Sequence, residues 1–164
     1  MSDVSADTPT PPGARFLLGI DPGAETGLAG VCAETAAVLF VRSAGPLATL
    51  RQLAAWASGR SVEGLLAEAY VEDARELPIY ARHRSKGRGE RDRVARSVGR
   101  VDSLTALYLD LLASYGVPAR SVEPVRAAKW DAETCARLTG WHGRSNVHGR
   151  DALRLVYGRA SSVR

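Results

Sequence analysis

Two cysteines, Cys32 and Cys135, are the only thiols in the chain, and they fall in no CxxC pattern. A disulfide framework or a zinc knuckle is therefore not expected. Both read as buried or half-buried thiols of a protein kept in a reducing cytoplasm. No apolar run approaches the ~20 residues needed to span a bilayer. The opening MSDVSADTPTPPGA has early acidic residues and no apolar centre, so a secretory signal is not expected there. Its Ser, Asp, Thr and Pro content predicts a disordered tail over residues 1–14, with one folded domain over 15–160. No internal repeat is present. A phosphate-binding P-loop is excluded as well, because no Gly-Lys-Ser/Thr follows the glycine-bearing turn at 21–27.

What is present is a chain with 45% apolar residues and 22 basic against 18 acidic side chains, a formal net charge of +4. That total describes an ordinary, mildly basic globular protein. The charge distribution is more informative. Residues 75–100 hold Arg75, Arg82, Arg84, Lys86, Arg88, Arg91, Arg93, Arg96 and Arg100, opposed by Glu76, Glu90 and Asp92 alone. A charge run is usually a solvated face. Here the single sign favours phosphate contact, with arginine forks gripping backbone oxygens without reading sequence. RSKGRGERDR (84–93) has two glycines and no apolar residue, which predicts a mobile loop ordered by DNA.

The hydrophobic pattern predicts an order of three strands, helix, strand, helix, strand, helix, helix. FLLGI (16–20) stops at Asp-Pro-Gly; GLAGVCA and AAVLFVR follow with tight links, giving an antiparallel meander. Residues 46–58 form a helix with Pro46 near its start. LLAEAYVE (65–72) is a buried strand parallel to the first. A long amphipathic helix spans 94–115, and GVPARSVEP gives a stop and a fifth strand. Two helices follow at 130–138, with Asp131 or Lys129 near the start, and at 146–157. The fold class is α/β with a mixed five-stranded sheet flanked by helices.

Three groups of residues carry candidate chemistry. Asp21 ends a buried strand before Pro22 and Gly23, and reads either as a turn aspartate or as a carboxylate held at a sheet edge. Gly23 and Gly27 permit a tight return that lets backbone and substrate phosphate approach. Glu72 and Asp73 end the fourth strand. Neighbours on a strand face opposite ways, so only one can share a site with Asp21; Glu72 is chosen, which leaves Val71 and Asp73 on the other face. His148 and Asp151 are three apart on the last helix and share one side, as a surface pair or as half of a metal site. Carboxylates from two strand ends and this pair could converge on one cavity. Oxygen-rich ligation with one nitrogen suits Mg²⁺ or Mn²⁺.

LLGIDPGAETGLAGV, AYVEDAR and VHGRDALRLVYG resemble, in order, the three motif regions of RuvC-type Holliday-junction resolvases. The stretch from VEDAR through DAETCARLTGWHGRSNVHGRDALRLVYG is similar to resolvase-like proteins of phages and prophages. The likeness covers residues 16–158. It implies an RNase H-like fold, a homodimer, two divalent ions per site and paired nicks across a four-way DNA junction. It also places Asp21, Glu72, His148 and Asp151 on the four metal-ligand positions, the third of which is His in some members and Asp in others. Lys129 lies near a lysine that assists catalysis, with Arg126 the competing assignment. The pattern departs at one point: the aromatic that helps open the junction is missing just after Glu72, and Tyr80 is the candidate substitute. On this reading Arg75, Arg82, Arg84, Lys86, Arg88 and Arg91 contact DNA. Rival readings are a nuclease of the same fold acting on other branched DNA or RNA, and a junction-binding module without catalysis. Trp56, Trp130 and Trp141 are assigned to packing, and His83 and His142 to no site.

Overall fold

The residues 16–20 of the first strand, β1 (Arg15–Asp21), are all buried. Burial on both faces is what a central strand requires. β1 pairs antiparallel with β2 (Thr26–Cys32) and parallel with β4 (Leu65–Glu72). β3 (Val38–Ala44) extends the sheet from β2, and β5 (Ala119–Val122) runs parallel to β4. The strand order is β3-β2-β1-β4-β5, a mixed five-stranded sheet as the pattern predicts. The computed structural model describes residues 13–77 and 88–160, with side chains for all of these except 88–94.

Among the described residues four α-helices cover the sheet: α1 (Pro46–Ala57), α2 (Arg88–Ser114), α3 (Ala132–Thr139) and α4 (Val147–Val156). Alternation along the strands divides the core in two. Phe16, Leu18 and Ile20 pack with Leu53 and Trp56 of α1 and Tyr108 and Leu112 of α2. Leu17 packs on the other face with Cys135 of α3 and Ala152, Leu153, Leu155 and Val156 of α4. Each large apolar side chain fully buried this way contributes about 1.5–3 kcal/mol. Both cysteines are free and buried, Trp56 is core, and Trp130 and Trp141 pack against the α4-side core.

Two expectations need correction. The loop expected over 84–93 gives way to helix at Arg88, six residues before the expected start at 94. Glu90 and Asp92 lie near the new helix start, where acidic residues complement the helix dipole, and a glycine costs little at a helix end. Of the expected DNA contacts, Arg82, Arg84 and Lys86 lie outside the described residues, as do Tyr80, His83 and residues 1–12. Arg88 and Arg91 lie in the first turns of α2. The second correction concerns Gly27. A Cβ there would stand 1.9 Å from the His148 carbonyl oxygen, and one at Gly19 would stand 2.0 Å from that of Ala152. Gly27 therefore makes room for the α4 backbone, not for a substrate phosphate. Gly23 keeps its place in the turn, where a Cβ would meet the Glu25 carbonyl at 3.0 Å.

Candidate active site

Strand alternation delivers the first two acidic groups. Asp21 shares its face with Leu17, and Glu72 shares its face with Tyr70, so both side chains emerge on the α4 side of the sheet. Ile20 pairs with Val71, which sets Asp21 and Glu72 next to each other at the carboxyl ends of two parallel strands. Asp73 follows Val71 to the opposite face. There it accepts bonds from the Arg75 amide at 2.9 Å, the Arg75 guanidinium at 2.7 Å and Ser121 Oγ at 3.1 Å. The Arg75 fork holds its carboxyl below the usual carboxylate range. Arg75, expected on DNA, is thus turned onto Asp73.

Helix α4 brings in the second pair. Its N-cap, Asn146, accepts from the Gly149 amide at 2.9 Å while its amide nitrogen donates to Ser43 Oγ at 2.6 Å and Glu25 Oε1 at 2.8 Å. One side chain therefore joins α4 to β3 and to the turn that follows Asp21. The helix start is fixed by this cap and by the glycines beneath it. His148 Nδ1 stands 3.4 Å from Asp21 Oδ2, with the imidazole 40% exposed and the Asp21 carboxylate 15%. Asp151 is buried one turn on, 10% exposed, and both its oxygens are engaged. Lys129 Nζ donates to Oδ2 at 2.6 Å, and Arg154 approaches Oδ1 at 3.3 Å. Arg126, the competing cation, is paired instead with Glu123 at 2.6 Å.

The electrostatics describe a crowded acidic site. Burial and then the neighbouring Asp21 and Asp151 push Glu72 up to about 7, partly offset by Lys129 and Arg154. Asp21 is raised too, by burial first and Asp151 second, with His148 and Lys129 acting the other way. Lys129 is raised chiefly by its bond to Asp151. Among the described residues no three of His, Cys, Asp and Glu stand arranged to hold an ion as they lie, since Asp151 is occupied by Lys129 and Arg154. The donor chemistry nevertheless fits a hard divalent cation. Three carboxylates and an imidazole converge, and two of the carboxylates are short of positive charge.

Arg154 is the member that the sequence reading missed. Its guanidinium is 5% exposed, and only its spacing three residues after Asp151 marked it.

Among the described residues, two cavities lie near the site. One of about 690 Å³ lies between β3 and the loop before α4, with Arg42, Ser43, Arg144 and Ser145 among its walls. The other, about 390 Å³, lies between Ala24 of the turn after β1 and Arg96 and Arg100 of α2.

No family model matches the sequence, and no curated protein matches it either. Among solved structures the chain is similar to T. thermophilus RuvC in complex with a Holliday junction substrate, with a TM-score of 0.56. The identity is 19%, over 89% of this chain and 92% of that one. The fold is RuvC-like. The mixed sheet and its flanking helices are thus of the RNase H-like class, as expected. The likeness is to the RuvC architecture and does not single out phage or prophage members. No helix among the described residues is long and apolar enough to cross a membrane.

Proposed function

We propose that the chain is a divalent-metal-dependent endodeoxyribonuclease that cuts four-way DNA junctions. The observation that carries this reading is the meeting of Asp21, Glu72, His148 and Asp151 at the carboxyl ends of β1 and β4 in a RuvC-like fold. The substrate class is proposed by analogy with the neighbour, which was solved with a Holliday junction. Residues 15–160 are taken as the nuclease domain.

In this reading the four residues would hold two Mg²⁺ or Mn²⁺ ions, and Asp151 would have to give up its bond to Lys129 to take part. Such ions supply activation of a water and stabilisation of the leaving oxygen of a phosphodiester. The chain's own contributions are distinct. Asp21 and Glu72 are held by strand ends whose register is set deep in the sheet, so the acceptor oxygens are placed before any ligand arrives. His148 adds the single nitrogen. The Lys129 ammonium, 66% exposed, would then be available to neutralise phosphate charge. Arg144 on one flank and Arg96 and Arg100 on the other offer charge to the DNA backbone, and Arg82, Arg84, Lys86, Arg88 and Arg91 are taken as further phosphate contacts. One site cuts one strand, so resolving a junction needs a homodimer of ~35 kDa, twice the 17.5 kDa chain.

The test is a synthetic four-way junction incubated with Mg²⁺, with Mn²⁺ and with EDTA, beside flap and RNA–DNA hybrid controls. Paired nicks in the junction with either ion, and none in EDTA, are expected. Preferential cutting of the controls would move the substrate to another branched nucleic acid. Junction binding without divalent-dependent cutting would leave a binding module, a reading favoured only by the occupied oxygens of Asp151.

A further inference from the structure

Lys129 sits on a stretch of chain with little to hold it. Among the described residues no main-chain hydrogen bond fixes residues 123–130, between the end of β5 and the Asp131 cap of α3. The stretch is anchored by side chains, and two of the anchors come from one helix. Arg150 Nε donates to the Trp130 carbonyl at 2.9 Å, while its Nη1 donates to the Ser145 carbonyl at 2.9 Å and reaches Ser145 Oγ at 3.3 Å. Arg154 Nη2 donates to the Ala127 carbonyl at 2.7 Å, and its guanidinium lies 5.9 Å from the Trp130 ring centre. Trp130 in turn meets Tyr157 edge-on at 6.1 Å.

We propose that Arg150 and Arg154 are positioning residues that clamp the main chain on either side of Lys129 and so set where its ammonium can reach. The two grips fall at 127 and 130, so the lysine lies inside the clamped span. Arg154 holds Asp151 with its other nitrogen, which ties the lysine's position and its carboxylate partner to one guanidinium. The clamp leaves the ammonium itself free. Lys129 is 66% exposed, so its long side chain can swing from Asp151 to a bound phosphate while its Cα stays put. Arginine suits the clamping role because its planar fork serves two acceptors at once, and a lysine suits the clamped one because its charge is a single mobile point. The composition matches this division. Lys86 and Lys129 are the only lysines, and the other basic residues are arginines. The proposal rests on the functional reading for what the ammonium does, and on geometry alone for how it is held.

That scarcity of lysine makes the test direct. A lysine-specific endoproteinase has two sites in the full chain, after Lys86 and after Lys129, and the first serves as an internal reference. In Arg150→Gln, cleavage after Lys129 should quicken roughly tenfold as the span opens more often, with cleavage after Lys86 unchanged. Arg154→Gln should do the same and more, and Arg150→Gln, which leaves the Arg154–Asp151 contact in place, keeps the test valid if the Arg154 variant fails to fold. With Mg²⁺ and a synthetic junction, Arg150→Gln should lower kcat about tenfold and leave KM within twofold, as misplacement of a catalytic group does. Unchanged cleavage after Lys129 overturns the clamp. So does equal acceleration at both sites, which reports general loosening, and so does a rise in KM with kcat intact. Should the wild-type protein cut no DNA, the functional reading fails, and the metal-free proteolysis still decides the clamp.

Discussion

Asp21 and Lys129 arrive at the same acidic site by opposite means. Asp21 ends a strand whose neighbours on both sides are paired, beneath a helix seated on glycines with no room to spare. Lys129 rides on a stretch that, among the described residues, has no backbone-to-backbone hydrogen bonds and is held by the ends of two arginine side chains. On the proposed function the carboxylates would need fixed positions, because ions demand short, defined oxygen distances. The lysine, on the same proposed function, would serve a carboxylate in one state and a phosphate in another, which calls for a fixed base and a free tip. Rigidity is distributed by task.

The contrast can be broken most sharply at the rigid end. Asp21→Asn removes a ligand charge and keeps the shape, so divalent-dependent cutting should fall by about a thousandfold or more, near 4 kcal/mol, with junction affinity retained. Turnover at the wild-type rate would remove Asp21 from the proposed set. Gly27→Ala comes next. Its methyl would overlap the His148 carbonyl, and the backbone, not a flexible side chain, would have to move. We expect a loss of about 3 kcal/mol in urea unfolding, at the upper end for overpacking. A cost under about 0.5 kcal/mol, no more than an ordinary surface change, would mean that α4 is not seated as described.

A third substitution should stabilise. Burial and two acidic neighbours hold Glu72 near 7, above the ordinary 4.5, so the fold prefers it protonated. Its contribution is intact below 4.5 and is lost as pH rises through 7. The full shift corresponds to about 3 kcal/mol, reduced to roughly 2 by the solvent that reaches the partly exposed group. In EDTA, Glu72→Gln should therefore outlast the wild type in denaturant at pH 8 by that amount and match it near pH 4. Millimolar Mg²⁺ should narrow the gap by stabilising the wild type alone. Equal stability at pH 8 would dismiss the crowding of carboxylates.

The smallest effects belong to the flanks. Arg144→Gln and Arg100→Gln should each lower the slope of log K against log salt by about 1 and weaken all DNA alike. An unchanged slope in both would leave the two cavities without a role in phosphate binding.

Much of this design was open to reading from residue order. Strand and helix identities followed from local periods and from breakers such as Pro22-Gly23 and Gly116. The choice of Glu72 over Asp73 needed only strand alternation, and the side-chain facing agrees with it. What escaped was long-range and main-chain in character. Nothing in DALRLVYG announces that Arg154 reaches a carbonyl 27 positions earlier, since an arginine three residues after an aspartate reads as an ordinary surface pair. Gly27 looked like a turn residue because the helix that needs its emptiness lies 121 positions on. The early start of α2 was masked by two glycines that read as loop.

The docking of α4 also has a consequence for synthesis. Asp21 and Glu72 leave the ribosome early, while His148 and Asp151 follow only after more than 70 further residues. Until α4 emerges, one face of the sheet lacks Ala152, Leu153, Leu155 and Val156, and the acidic pair stands without its partners. Core closure and assembly of the site are then a single event. On the proposed function, a nascent or C-terminally truncated chain would carry basic residues without an assembled site, and the order of translation would withhold cleavage until the fold is finished.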